Sequence, residues 1–168
     1  MKLSHAGLCL LVTMLALSQL GCSRNASGVA ASLNQNAALV GDLPGNPLRW
    51  RVITSTVDRP TSTMSTLFGN DVAVEYARSH PQHDYPAGSV LCLVTWTGGE
   101  DPRWFGAQIP AGVHSAEFVT VAPRPGETLS YSYDDYEGSP LKKVSSEQLA
   151  SPQGRTAYML SLRAAVLP

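Results

Sequence analysis

The residues with the most obvious capacity for chemistry lie in HPQHD (80–84), where His80, His83 and Asp84 crowd together. Two imidazoles and a carboxylate at this spacing could ligate a transition metal if a further donor converged on them. A proline-containing loop whose histidines are simply solvated accounts for the same residues, and the two readings compete. DDYEG (134–138) gathers Asp134, Asp135 and Glu137 beside Gly138. Calcium loops require ligands at stricter positions, so an exposed acidic turn is the expectation. The chain contains neither Gly-x-Ser-x-Gly nor a phosphate-cradling glycine loop, which removes two common routes to hydrolase and nucleotide chemistry.

VTWTGGEDPRWFGAQIP (94–110) combines two tryptophans, a glycine pair and several charges. Gly98-Gly99 tolerate positive φ, and Asp101-Pro102 favours a turn. The expected hairpin has Trp96 closing one strand and Trp104 with Phe105 beginning the return. Gln108 and Ile109 extend that return until Pro110 stops it. With no His or Cys in the window, a structural hairpin accounts for it better than a catalytic site.

Cysteine is the other reactive side chain. Residues 1–21 carry Lys2 followed by the apolar run Leu8–Leu20, shorter than the ~20 apolar residues a bilayer span needs. They read as a secretory signal, and Cys22 directly after Gly21 has lipobox geometry. Diacylation of Cys22 would fix the mature amino terminus to a membrane. Cleavage near Gly21 without acylation is the alternative, because Gln19 stands where an aliphatic residue is usual. Ser23 is compatible with sorting to an outer membrane, so the expected location is the cell envelope, lipid-anchored and facing the periplasm. Cys9 leaves with the signal, and Cys92, inside SVLCLVTW, reads as a buried small hydrophobe. Loss of Lys2 changes 12 Lys+Arg to 11 against 13 Asp+Glu, and 11 − 13 gives −2. No basic surplus remains, which argues against nucleic acid as a partner.

Elements must position these residues. Residues 22–47, rich in Ser, Asn, Ala and Gly, read as a flexible tether, and 48–168 as a single domain. Strands are expected at WRVITSTV (50–57), TSTMSTLF (61–68), SVLCLVTW (89–96), AEFVTVA (116–122) and LSYSY (129–133). The third is apolar on both faces, as a central strand covered on both sides would be. Asn70 or Asp71 can cap a short helix over 71–79, with Val72, Ala73 and Tyr76 inward. RPGE (124–127) has turn chemistry. SPQGRTAYMLSLRAAVL (151–167) begins with a Ser cap and a first-turn proline, and reads as a helix with Tyr158, Leu162, Ala165 and Val166 on one stripe, although Gly154 opposes it and AYMLSL equally fits the alternation of a strand. The fold class is α+β and sheet-dominated: a mainly antiparallel β-sheet with one or two helices.

The series STMSTLFGNDVAVEYARS, YPAGSVLCLVTW, DPRWFGAQIP and SAEFVTV resembles the cytochrome P-460 family of exported bacterial proteins over about residues 48–135. That resemblance implies a mainly antiparallel sheet with helices and a single c-type haem on a Cys-x-x-Cys-His motif near the carboxyl terminus. This chain has no cysteine after Cys92, so the attachment motif is missing and no haem ligand carries over. Three expectations follow. The leading one is an anchored, haem-free domain that binds a small molecule or protein partner or serves a structural role. The others are non-covalently bound haem ligated by His114 or a loop histidine, with redox or gas-binding activity, and metal binding at His80, His83 and Asp84.

Overall fold

Six strands form one sheet whose spatial order is the order of the chain, every neighbouring pair being antiparallel. The strands are β1 (Arg51–Asp58), β2 (Thr63–Gly69), β3 (Val90–Glu100), β4 (Gln108–Arg124), β5 (Glu127–Glu137) and β6 (Lys142–Lys143). Among the described residues two α-helices accompany the sheet, α1 (Asp71–Ser79) and α2 (Pro152–Ser161). The fold is therefore α+β and sheet-dominated. It is seen in a computed structural model that describes residues 34–80, 84–102, 104–124 and 126–165. The signal segment, Cys22, His83 and Val166 lie outside the described residues.

Alternation along β3 explains why the sheet needs cover on both sides. Leu91 and Leu93 point to one face, Cys92, Val94 and Trp96 to the other, and all are buried. The first face joins Leu67, Val119 and Val121 to Ala73 and Val74 of α1 and Met159 of α2. The second joins Phe68, Ala116, Phe118, Tyr136 and Leu141, and among the described residues no α-helix covers it. Ala37, Leu39, Leu43 and Trp50 pack there instead. Trp96 Nε1 donates to the Ala37 carbonyl at 3.0 Å, and Leu141 N donates to the Val40 carbonyl at 2.7 Å. The compact unit thus begins at Asn34, and the tether expected over 22–47 does not extend across 34–47. Apolar residues spaced through a polar stretch were enough to cover a face that would otherwise expose aromatic rings.

Asn70 fixes α1. Its Oδ1 accepts from Ala73 N at 3.0 Å and Val90 N at 3.2 Å, while its Nδ2 donates to the Gly88 carbonyl at 2.8 Å. This cap ties the first helical turn to the start of β3. Ala73 and Val74 consequently face the sheet, Tyr76 is half-buried and Val72 is exposed, contrary to the expected inward Val72. Ser151 precedes α2 with φ +58 and makes no side-chain cap; its carbonyl accepts from Arg155 N instead. α2 ends at Ser161, and Met159 rather than Tyr158 is its buried residue.

The hairpin between β3 and β4 differs from expectation in three respects. Gly98 and Gly99 are strand residues, paired with Pro110 and Ile109. A Cβ on Gly98 would lie 3.1 Å from the Ser62 carbonyl, and one on Gly99 would lie 2.9 Å from the Ala111 Cβ. Glycine serves close approach here rather than a turn. The connection runs from Asp101 to Ala107, closed by Asp101 N donating to the Ala107 carbonyl at 3.0 Å. Trp104 and Phe105 therefore stand at the tip, 70% and fully exposed, instead of starting the return strand. Pro110 does not stop β4, because β5 pairs only with Ser115–Arg124 and leaves the other side of β4 unpaired at Pro110.

β5 likewise continues through Asp134–Glu137, which was read as part of an exposed turn. Its pairing with Ser115–Phe118 buries Tyr136 in the second core, and the chain turns only at Gly138–Pro140.

The exposures of the two tryptophans set a test. Trp96→Ala removes a buried ring and should cost roughly 3–5 kcal/mol, whereas Trp104→Ala should change stability by less than about 0.5 kcal/mol. Paired denaturant melts measure both, and equal losses would mean the hairpin tip is packed.

Candidate functional site

Glu117 is an ionisable residue placed on the inward face of β4. It is paired with Leu93 on one side and Asp135 on the other, and is only 4% exposed. Isolated, such a carboxylate would be strongly destabilising. Arg155 of α2 meets it with a two-point contact, Nε to Oε2 at 2.7 Å and Nη2 to Oε1 at 2.6 Å. Tyr133 of β5 donates its hydroxyl to Oε2 at 2.6 Å. The fork of the guanidinium matches the carboxylate, and its plane also lies over the Tyr158 ring, 4.9 Å from the centroid. The bond to Glu117 raises the Arg155 pKa despite burial. Burial and the same carboxylate keep the Tyr133 hydroxyl protonated well above the ordinary phenol range.

This cluster forms the floor of a cavity of about 710 Å³ on the helix side of the sheet. Thr63, Thr95, His114 and Ser115 line one wall, with Asp135 and Lys142 among the residues of the other. α2 packs Met159 into the core of this face and meets the cavity through Arg155, where the inward residues of the sheet become polar. Asp135 Oδ1 is buried at this surface and has no hydrogen-bond partner among the described residues. Burial, then the charges of Glu117 and Glu137, push the Asp135 carboxyl up from 3.8 to about 6. The Tyr136 backbone N–H and Arg155 oppose the shift without cancelling it. Asp135 thus ionises close to neutrality, facing an accessible space, as binding and proton-handling groups commonly do.

The expected site residues are distributed differently. His114 is exposed and lines this cavity. His80 is also exposed, stacked on Tyr76 with centroids 4.3 Å apart, and its Nδ1 lies 2.9 Å from Ser79 Oγ. Asp84 is exposed, and His83 lies outside the described residues. Among the described residues no three His, Cys, Asp or Glu side chains gather as metal ligands. Cys92 is buried on the opposite face, its thiol pushed upward by burial and then by the Glu117 charge.

Comparison with known proteins adds no assignment. No protein-family model matches this chain, and no curated protein matches its sequence.

The Glu117–Tyr133–Asp135–Arg155 cluster was missed from sequence, although a signal was present. Glu117 alternates in phase with Val119 and Val121, so a charge stands on the inward face of a strand. Tyr131, Tyr133 and Asp135 continue one face of β5 in the same way.

The Asp135 shift fixes a pH dependence. A carboxyl with a folded pKa raised above its unfolded value favours the fold while protonated, and that contribution is lost as pH rises through about 6. Wild-type stability should therefore decline between about pH 4 and pH 6 relative to Asp135→Asn. Above pH 6 the Asn variant should be the more stable of the two. Denaturant midpoints across pH 4–8 measure the difference, and parallel profiles would show that Asp135 is not perturbed.

Proposed function

We propose that this domain is a non-enzymatic binding module, anchored in the cell envelope through lipid on Cys22, that takes a small polar molecule bearing a hydrogen-bond donor, such as an amine. The observation that carries the reading is Asp135 in the lining of the cavity, its buried Oδ1 without a hydrogen-bond partner among the described residues. A carboxylate above its pKa is an acceptor, and burial raises the gain from a donor that reaches it. Lys142 on the same wall suits a ligand that also carries an acceptor.

The envelope setting draws on the signal-like residues 1–21 and the Gly21-Cys22 pair. The resemblance to cytochrome P-460 proteins is compatible with it and with the antiparallel sheet. Haem fits the lining poorly. The chain lacks the thioether cysteines, and His114 looks into a space floored by Glu117, Asp135 and Arg155, where an apolar macrocycle would leave charged groups without solvent. An absorption spectrum after addition of haemin tests that alternative, and a Soret shift abolished by His114→Ala would favour it.

The binding reading is tested by thermal melts with panels of small amines, polyols and carboxylic acids at pH 7.5. Amines should stabilise the protein, by roughly 2.7 kcal/mol at a concentration 100 times Kd, and the effect should fade below about pH 6. Asp135→Asn should abolish the preference. Equal responses to all three panels, or an unchanged response of the variant, would refute the assignment.

The anchor has its own test. Wild-type protein should fractionate with membranes, and Cys22→Ser should release it or stall its processing. Recovery of the wild type wholly as soluble protein would refute acylation.

A further inference from the structure

The tip of the β3–β4 hairpin presents Trp104 and Phe105 to solvent, 70% and fully exposed. Neighbouring surface at the same end of the sheet is also apolar. Val57, 53% exposed, and Met64 line a shallow depression of about 480 Å³ with Gly106, Gln108 and Arg59. The two turns at this end are tied together by Gly98 N donating to the Ser62 carbonyl at 2.6 Å. Two adjacent rings on a supported hairpin are a directed apolar surface, unlike scattered exposed residues.

The path of the chain points to what this surface meets. Asn34, where the compact unit begins, donates its side-chain amide to the Pro110 carbonyl on the stem of this hairpin. Pro110 is three residues from Ala107 at the edge of the loop, about 10 Å along the strand. Between Cys22 and Asn34 lie residues 23–33, and 33 − 22 gives 11. Even fully extended, the chain from Cys22 to Asn34 reaches at most ~40 Å. The described chain therefore enters the domain beside the stem of the hairpin that carries the two rings, and an anchor at Cys22 would be tied to it within that reach.

We infer that the Trp104–Phe105 tip is a membrane-contacting finger that inserts into the headgroup–acyl boundary of the bilayer holding the anchor. Tryptophan suits that boundary because its ring is apolar and its indole N–H can bond to headgroups or water. Arg59 at the neighbouring turn can lay its stem along the apolar surface and reach lipid phosphate. The orientation rests on the anchored reading of Cys22; the affinity of the tip for lipid does not.

Protein purified with its native amino terminus is reconstituted into vesicles of phosphatidylethanolamine and phosphatidylglycerol with brominated acyl chains, and tryptophan fluorescence is measured. Bromine should quench a component that Trp104→Phe removes, while Trp50 and Trp96 remain unquenched. If the wild type proves not to be acylated, its partitioning onto the same vesicles decides instead. Trp104→Ser or Phe105→Ser should then each weaken binding roughly tenfold. An anchored protein with unquenched Trp104 would overturn the finger while leaving the anchor standing. An unacylated protein that ignores vesicles would overturn both. Self-association that Trp104→Ser abolishes, without quenching, would overturn the proposal in favour of a second copy of the chain as the occupant.

Discussion

A carboxylate buried in the middle of a sheet must be given partners, and the partners of Glu117 come from two other elements. Tyr133 reaches it from β5 and Arg155 from α2, so a single side chain couples the sheet to the carboxyl-terminal helix. The coupling is local: α2 buries only Met159 fully and has no side-chain N-cap. Met159 anchors it in the core with Leu160 packed beside it, and the two-point contact of Arg155 adds an ionic tie. The ionic pair itself lines the cavity, beside the polar surface of the sheet. Asp135, next to Glu117 in register, supplies no partner to Arg155, and its unpartnered oxygen follows from that division.

The second constraint is that β3 and β4 are apolar on both faces over much of their length. One face is closed by helices and the other by an amino-terminal segment without regular structure apart from two single 3-10 turns, Gln35–Ala37 and Pro47–Arg49. Edge-on aromatic contacts finish that second core, Trp50 against Phe118 at 6.2 Å and Phe118 against Tyr136 at 5.6 Å. Since strands pair only with their sequence neighbours, each element can be placed as the chain proceeds, and the segment before β1 must be retained to cover Trp96 and Phe118. The amino-terminal route therefore belongs to the fold, and it determines where the chain approaches the domain.

Much of the sheet was legible because period-2 alternation and punctuation are local signals. The strands, the Asn70 cap and the turn at Gly126 followed from them. What escaped depended on contacts distant in sequence. The role of Gly98 and Gly99 is set by the Ser62 carbonyl and Ala111, so a glycine pair with good turn chemistry was assigned to the wrong job. Pro110 was read as a stop because its unpaired side becomes apparent only from the length of β5. Asp134–Glu137 looked like a turn by composition, yet register with β4 carried the strand on. The cavity residues were hidden for the same reason: Glu117, Tyr133, Asp135 and Arg155 span β4, β5 and α2, and no linear motif joins them.

The cavity and the aromatic tip share one end of the sheet. Thr61 and Thr63, at the β1–β2 turn, line the cavity, and the intervening Ser62 accepts from Gly98 on the hairpin stem. His114 lies four residues beyond Pro110 on the same strand. Under the proposed orientation, a domain held by its tip at a bilayer would carry the cavity beside the headgroup layer rather than far into the aqueous space. A ligand reaching Asp135 would then approach through an interfacial region whose anionic headgroups concentrate cations. The same surface potential would raise the local proton concentration and bring a carboxyl that titrates near 6 closer to its midpoint. Ligand occupancy and Asp135 ionisation would consequently both depend on whether the domain is held at the membrane. This links two otherwise separate features, an acid with one unpartnered oxygen and an exposed pair of rings, through their common place in the fold.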